Sequence, residues 1–331
     1  MPSGVRRFAL ATLATSTVAL LTTVAAYAGN GGFLPGEAHS PNAHRVHTAF
    51  IFVSIFTGII FVGVEAALVL FIVKYRRGKR PRTAEGPQIH GSTRLEIIWT
   101  VVPVVILAVI GTFVFIKLPS ITDAPKAAAA DQTSIQISGR QFYWQFTYPN
   151  GAISIDTLVA PADQVVNERI SAPTWDVIHS WWVPDFGGKY DAIPGKVNHT
   201  WFKAPQGTYI ARCAELCGIQ HAAMLARVEV MPADEYDAWV QQRKGDRAAL
   251  GKETFVGVCA KCHGLAAQGG IGPNIAANPL LANHEGLANV IRAGIGKMPA
   301  VGKDWSQEQI DATIAYLQQR FHQGGSSGGQ G

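Results

Sequence analysis

The 331-residue chain is predicted to be multi-domain: a two-helix transmembrane hairpin, then an all-β sandwich, then a small all-α domain. Three observations predict this. Two apolar runs, at about 50–73 and 95–118, each come near or exceed the roughly 20 residues that cross hydrocarbon as a helix. Many short β-rich runs follow, with Gly and Pro separating several of them. From about 251 the composition turns helical with Gly-rich loops. Hydrophobic residues make up 48% and charged residues 15%, which also leans toward a membrane protein. The formal charge of +5 is mild, and no outward-facing block is basic enough to suggest a nucleic-acid partner.

At the N-terminus, Arg6 and Arg7 precede an apolar stretch that ends in Ala26-Tyr27-Ala28. Basic, apolar and small residues in that order read as a secretory signal over 1–28, cleaved after Ala28. An uncleaved anchor helix is the alternative. An outward segment, 29–48, leads into the transmembrane hairpin at 49–118. Pro103 falls inside the second run, which membrane helices tolerate. The loop from Lys74 to Arg82 is short and basic, so it stays in the cytoplasm and everything after about Pro119 faces outward. Glu65 lies within the first run, where an ionised carboxylate is costly. Two readings stand for it: a proton-conducting or partner-facing group, or a neutral acid hydrogen-bonded to a neighbouring helix. Glu96 begins the second run, where a carboxylate suits a helix N-terminus.

Residues 119–131, with Ala127 to Ala130 in a row, read as a linker. Strands are expected at 134–138, 141–148, 153–159, 164–171, 177–183, 197–203, 208–213 and 225–230, within a β domain spanning 132–231. Charged helix formers at 232–250 read as a connecting helix and hinge. An α domain covers 251–322, and the Gly- and Ser-rich 323–331 read as a disordered tail.

The four cysteines fall as two pairs, Cys213 with Cys217 and Cys259 with Cys262. The first pair sits in Cys213-Ala214-Glu215-Leu216-Cys217-Gly218-Ile219-Gln220-His221-Ala222-Ala223-Met224. Thiolates, an imidazole and a thioether in one loop are the soft ligands that copper prefers in redox sites. A mononuclear blue site needs one cysteine; two can bridge a pair of copper ions. His179, in Asp176-Val177-Ile178-His179-Ser180-Trp181-Trp182-Val183-Pro184, is available as a second histidine. A disulfide between Cys213 and Cys217 or a zinc site are the rival readings. Zinc exchanges no electron, and a disulfide leaves His179, His221 and Met224 unexplained.

This loop, the Asp176–Pro184 run and Asp191-Ala192-Ile193-Pro194-Gly195 resemble the cupredoxin domain of cytochrome c oxidase subunit II, in the haem-copper oxidase superfamily. Leu95-Glu96-Ile97-Ile98-Trp99-Thr100-Val101-Val102-Pro103 resembles that family's second membrane helix. The resemblance implies a dinuclear copper centre, CuA, with His179, Cys213, Cys217, His221 and Met224 as ligands and Glu215 contributing its backbone carbonyl. It also implies that the Glu215 side chain helps hold a magnesium ion shared with subunit I. Glu96 would then stand at the mouth of a proton path. In the family's aromatic run a tryptophan receives electrons from soluble cytochrome c. Gly139-Arg140-Gln141-Phe142-Tyr143-Trp144 has Phe142 there, which puts that route in doubt and points to a different donor arrangement.

Cys259-Ala260-Lys261-Cys262-His263 matches the c-type haem attachment pattern: two thioethers and a proximal imidazole. With Gly272-Pro273-Asn274 and Gly296-Lys297-Met298-Pro299 behind it, the region resembles a small class I cytochrome c. Met1, Met224, Met231 and Met298 are the chain's methionines, and Met298 alone lies in this region. That makes Met298 the expected sixth ligand, with His284 as the rival. Ile310, Ile314 and Leu317 recur at core spacing, and Trp305 reads as packing.

The resulting expectation is the subunit of a terminal oxidase that takes in electrons. They pass from an external donor, membrane-bound or small and soluble, through haem c to CuA and on to the haem of subunit I, where O2 is reduced. Subunits I and III are the expected partners, in a bacterial plasma membrane with both centres on its outer face. Two alternatives keep part of this reading: a CuA and haem c subunit of a nitric oxide reductase, and a membrane-tethered copper carrier.

Overall fold

The structure, a computed structural model, describes residues 36–75, 90–126 and 132–322, together with positions 83, 86 and 88. The expected signal segment, the basic residues 76–82 and the tail from 323 lie outside the described residues. Two compact units divide the chain, Asn42–Asp123 and the remainder.

Helices α1 (Pro41–Tyr75) and α2 (Thr93–Thr122) form the first unit. Both outrun the apolar stretches that announce them, because helix-compatible polar residues flank the hydrocarbon-length cores. Each is long and apolar enough to cross a membrane, with mean hydropathies of 2.5 and 2.6 over their most apolar windows. In such a segment every polar group needs an internal partner. The threonine hydroxyls comply: Thr57 donates to the Val53 carbonyl at 2.9 Å and Thr112 to Ala108 at 2.7 Å. Phe52 stacks on Phe113 at 3.9 Å, and the Arg45 guanidinium donates to the Ser120 carbonyl, joining the two helices. Glu96 lies in the first turn of α2, its N–H bonded to the Ser92 carbonyl at 3.0 Å. Glu65 is exposed on α1.

The second unit opens with a sandwich of two five-stranded sheets. Its strands are β1 (Gln132–Arg140), β2 (Tyr143–Thr147), β3 (Ile153–Ile155), β4 (Thr157–Pro161), β5 (Val165–Ser171), β6 (His179–Trp182), β7 (Tyr190–Ala192), β8 (Asn198–Phe202), β9 (Gly207–Cys213) and β10 (Leu225–Met231). One sheet runs β3-β2-β1-β5-β8, the other β4-β10-β9-β6-β7. Alternation sets the faces: along β9, Tyr209, Ala211 and Cys213 are buried while Ile210 and Arg212 are exposed. Register follows, with Ile137 opposite Ile170 in the parallel β1–β5 pair and Val228 opposite Tyr209 in the antiparallel β10–β9 pair. Trp144, Phe146 and Trp181 meet at the centre, ring centroids 4.9 and 5.4 Å from Trp181. Each such buried side chain stabilises the fold by roughly 2–3 kcal/mol.

Two details depart from the sequence reading. The run 153–159, expected as one strand, breaks at Asp156, whose φ of 53° turns the chain so that β3 and β4 join different sheets. Strand β7 was not expected, being three residues long with no periodicity to reveal it.

Glu168, fully buried on β5, has Trp181 Nε1 as its donor at 3.0 Å. Burial pushes its carboxyl up to about 8, against the pull of that bond. An unfolded chain releases this proton near pH 4.5, whereas the folded chain keeps it to about 8. Stability therefore falls as pH rises through that window, by on the order of 4 kcal/mol. Glu168→Gln, which keeps the shape and stays neutral, is expected to remove this slope and raise the denaturation midpoint of the outer unit at pH 9. Chemical denaturation of both proteins at pH 5 and pH 9 checks it.

After the sandwich come α3 (Ala233–Arg243), α4 (Arg247–Thr254), a π-helical turn (Phe255–Cys259), α5 (Ala260–His263), α6 (His284–Ala293) and α7 (Gln307–Leu317). Side-chain caps start three of them: Asp246, Asn283 and Ser306 accept from Ala249, Gly286 and Gln309 N–H. Ile310, Ile314 and Leu317 of α7 are buried with Phe255, Leu287 and Trp305 in the helical core.

The segment read as a hinge is fastened to β3. Arg243 Nε donates to the Ile153 carbonyl at 2.8 Å, and its guanidinium pairs with Glu253 at 2.6 Å. Glu253 in turn accepts from Ile155 N–H at 3.1 Å.

Candidate metal and redox centres

Strands β6 and β9 pair with Trp181 opposite Cys213, which brings the His179 end of one beside the cysteine end of the other. The loop is closed by Ala214 N–H to the Ser180 carbonyl (2.9 Å) and Cys213 N–H to the Met224 carbonyl (3.0 Å). Among the described residues, His179, Cys213 and Cys217 offer buried ligand atoms all within 4.8 Å of one another. Cys217 Sγ stands at the middle, 3.8 Å from Cys213 Sγ, 3.7 Å from His221 Nδ1 and 3.8 Å from Met224 Sδ. The Glu215 carbonyl lies 3.2 Å from Cys213 Sγ. All six residues singled out in the sequence therefore converge.

Asp176, which sequence reasoning placed in the motif without a role, orients the histidine. Its Oδ1 lies 3.3 Å from His179 Nε2, while its two oxygens also accept from Val177 N–H at 2.7 Å and Gln141 N–H at 3.1 Å. His179 Nδ1 is buried without a hydrogen-bond partner. A buried, unpartnered ring nitrogen beside two thiols is what a metal ligand looks like before its metal is counted. Gly139 backs the ring: a Cβ there would sit 2.9 Å from His179 Cβ.

Electrostatics say the same. Burial opposes ionisation of Cys213, but the neighbouring His179 ring, the Ser180 and Glu215 backbone and the His221 ring outweigh it and bring the thiol down to about 6. Burial and then the adjacent Cys213 charge push Cys217 the other way, up to about 12. Two thiolates this close need cations to coexist. Soft sulfur with imidazole and thioether suits copper.

The second constellation lies on the helical side. Cys259 ends the π-helical turn, and Cys262 and His263 follow on α5. Cys213 Sγ and Cys217 Sγ stand 3.8 Å apart, well beyond an S–S bond, so the disulfide reading is not met. His263 Nδ1–H donates to the Pro273 carbonyl at 2.7 Å, which fixes the tautomer and leaves Nε2 available for iron. Gly272 lets that ring approach, since a Cβ there would meet His263 Cε1 at 2.8 Å. This arrangement fits a c-type haem. Met298 is half-buried in a turn closed by its N–H to the Ile295 carbonyl at 2.9 Å, on a segment separate from His263. His284, the rival, is exposed, with Nε2 against Asp311 at 3.2 Å.

Between the constellations runs a polar seam that sequence patterns did not reveal. Lys261, inside the Cys-x-x-Cys-His motif, places Nζ 2.7 Å from both Asp156 Oδ2 and the Phe142 carbonyl. Arg140 pairs with Asp304. Trp305 Nε1 donates to Tyr143 Oη at 2.7 Å, so this tryptophan bridges as well as packs.

Two membrane helices, a β-sandwich with a soft-ligand cluster, and a helical Cys-x-x-Cys-His region together define a membrane-anchored electron-transfer protein of cupredoxin type. The profile "Cytochrome C oxidase subunit II, transmembrane domain" matches residues 29–117, and "Cytochrome C oxidase subunit II, periplasmic domain" matches 153–231. Residues 246–317 match "Cytochrome C oxidase, cbb3-type, subunit III". Cytochrome c oxidase subunit 2 of Alkalihalophilus pseudofirmus is 33% identical over 313 residues, covering 85% of this chain and 89% of that one. The subunit 2 of Cereibacter sphaeroides is 33% identical over 66% of this chain and 81% of its own. Among solved structures, the periplasmic domain of subunit II of cytochrome oxidase from Bradyrhizobium japonicum is 33% identical, with a TM-score of 0.34, over 37% of this chain and 98% of that one.

The chain belongs to the cytochrome c oxidase subunit II family. It is an electron-transfer subunit of a haem-copper oxidase, anchored in a membrane with a periplasmic domain, fused to a cytochrome c domain and associated with subunit I.

Proposed function

We propose that this chain receives electrons from an external donor at a covalently bound haem c, passes them to a dinuclear CuA centre, and delivers them to the haem of subunit I. The convergence of His179, Cys213, Glu215, Cys217, His221 and Met224 around one sulfur carries the reading. With these residues holding a copper pair, the centre would supply one-electron storage shared between the two ions. Cys259 and Cys262 would hold the haem covalently, and His263 and Met298 would supply its iron with imidazole and thioether, a pair that raises the potential of a one-electron carrier.

The seam favours haem c as the donor to copper. Phe142 stands where the family's tryptophan accepts electrons from a soluble partner, and its carbonyl is taken by Lys261 of the haem-attachment motif. The external donor, membrane-bound or small and soluble, then meets the haem domain instead. The Glu215 side chain would contribute to a magnesium site at the border with subunit I. Glu96, in the first turn of α2, would open a proton path, and Glu65 would serve such a path, face a partner subunit, or stay a neutral acid hydrogen-bonded to a neighbouring helix. Subunit III completes the expected assembly in the bacterial plasma membrane.

The test is time-resolved. In the purified oxidase, haem c is reduced by a light-triggered reductant and the CuA absorption is followed. Copper reduction in step with haem c reoxidation is the expected result. Haem c reoxidation with no copper intermediate would overturn the path.

A further inference from the structure

Gln220 precedes His221 in the copper loop and is buried, with 8% of its surface exposed. Its side chain points away from the copper ligands and across the seam. Nε2 lies 3.2 Å from the Lys261 carbonyl and 3.3 Å from Cys262 Sγ. One amide thus touches both the backbone and the sulfur of the haem-attachment motif, while its own backbone continues into a copper ligand.

The surroundings hold this contact in place. On the copper side, His221 N–H bonds the Gly218 carbonyl at 3.0 Å, and Gln141 Nε2 holds the Cys217 carbonyl at 2.6 Å. Gly218, with φ of 136°, lies so close to the Phe142 ring that a Cβ would sit 2.9 Å from it. On the haem side, Lys261 is pinned by Asp156 and by the Phe142 carbonyl. The Arg140–Asp304 and Tyr143–Trp305 pairs fasten the same seam further along. Both loops are fixed by polar contacts, so the amide between them has a defined geometry rather than a passing one.

We propose that Gln220 is the coupling residue between the two redox centres. Its amide N–H donates to the Cys262 sulfur that carries the haem, and its chain continuation to His221 makes a short bonded route to copper. This rests on the proposed haem c to CuA path and names the contact that serves it. Two consequences follow. A hydrogen bond to the thioether sulfur withdraws electron density from the haem side, so it holds the haem potential up. Its loss also replaces a hydrogen-bonded step by a jump across a van der Waals gap, which slows transfer.

Gln220→Met keeps the length and unbranched shape of the side chain and cannot donate. In the purified oxidase, redox titration of this variant is expected to show haem c shifted to a lower potential with the CuA potential and copper spectrum unchanged. The light-triggered transfer from haem c to CuA is expected to slow roughly tenfold. Gln220→Ala, which also opens the gap, is expected to slow it more. A Gln220→Met protein with wild-type haem potential, or with a wild-type transfer rate, overturns the proposal. Wild-type protein in which CuA never follows haem c overturns the underlying path instead, so the two failures are told apart.

Discussion

Replacing Cys217 by serine is expected to abolish the proposed dinuclear centre while leaving the haem intact. Cys217 Sγ is the hub of the cluster, within 3.8 Å of Cys213, His221 and Met224. A serine hydroxyl is hard, stays protonated near neutral pH and cannot bridge two copper ions as a thiolate does. His179 and Cys213 remain close together, so they retain at most one copper. Copper analysis of the Cys217→Ser oxidase should fall from two copper ions toward one or none for each haem c, with the shared-electron absorption lost. The haem c band should stay, because Cys259, Cys262 and His263 lie on another segment. A Cys217→Ser protein that keeps two copper ions and the wild-type spectrum would remove Cys217 from the ligand set.

The second large effect is expected at the seam. Lys261 Nζ is the cation beside Asp156, whose carboxylate also accepts from Trp144 N–H at 2.8 Å. Burial pushes the Asp156 carboxyl up to about 6, against the pull of Lys261 and these bonds. Lys261→Met removes the cation and leaves the acid. Without that cation the carboxyl ionises higher still, so at pH 8 the folded variant either carries an unpaired, mostly buried carboxylate or holds a proton that the unfolded chain has released, and either one costs stability. Breaking a fully buried pair costs about 3–5 kcal/mol, and partial exposure of both side chains brings that to about 2–3 kcal/mol. Near pH 5 Asp156 is largely neutral and only a hydrogen bond is lost, about 1 kcal/mol. The destabilisation should therefore be greater at pH 8 than at pH 5. Denaturation of wild-type and Lys261→Met chains at both pH values checks it; equal losses would mean that Asp156 is not the group responsible.

Much of the proposed copper site was legible because its candidate ligands are close in sequence. Cys213, Cys217, His221 and Met224 lie on one loop, and ligand chemistry restricts what such a loop can do. His179 was reachable from a second motif, and strand pairing of β6 with β9 supplies the reason it belongs. The c-type attachment motif was legible in the same local way. The sandwich was legible from alternation and turns, except where Asp156 breaks a run or a strand is as short as β7. The seam was hidden. Lys261 with Asp156, Arg140 with Asp304 and Gln220 with Cys262 join residues far apart in sequence, and each is an ordinary polar residue until the fold makes it a partner. Asp176 was hidden for another reason: its motif was clear, but its role depends on the direction of the His179 ring.

The most direct test of the central claim, that one chain carries a copper pair and a haem c, is electron paramagnetic resonance with optical spectra of the purified full-length chain. It should be loaded with copper and haem. The expected result is a copper signal split by two equivalent nuclei sharing one electron, together with a c-type haem band. A signal from a single copper nucleus, or a haem band with no copper signal, would contradict it.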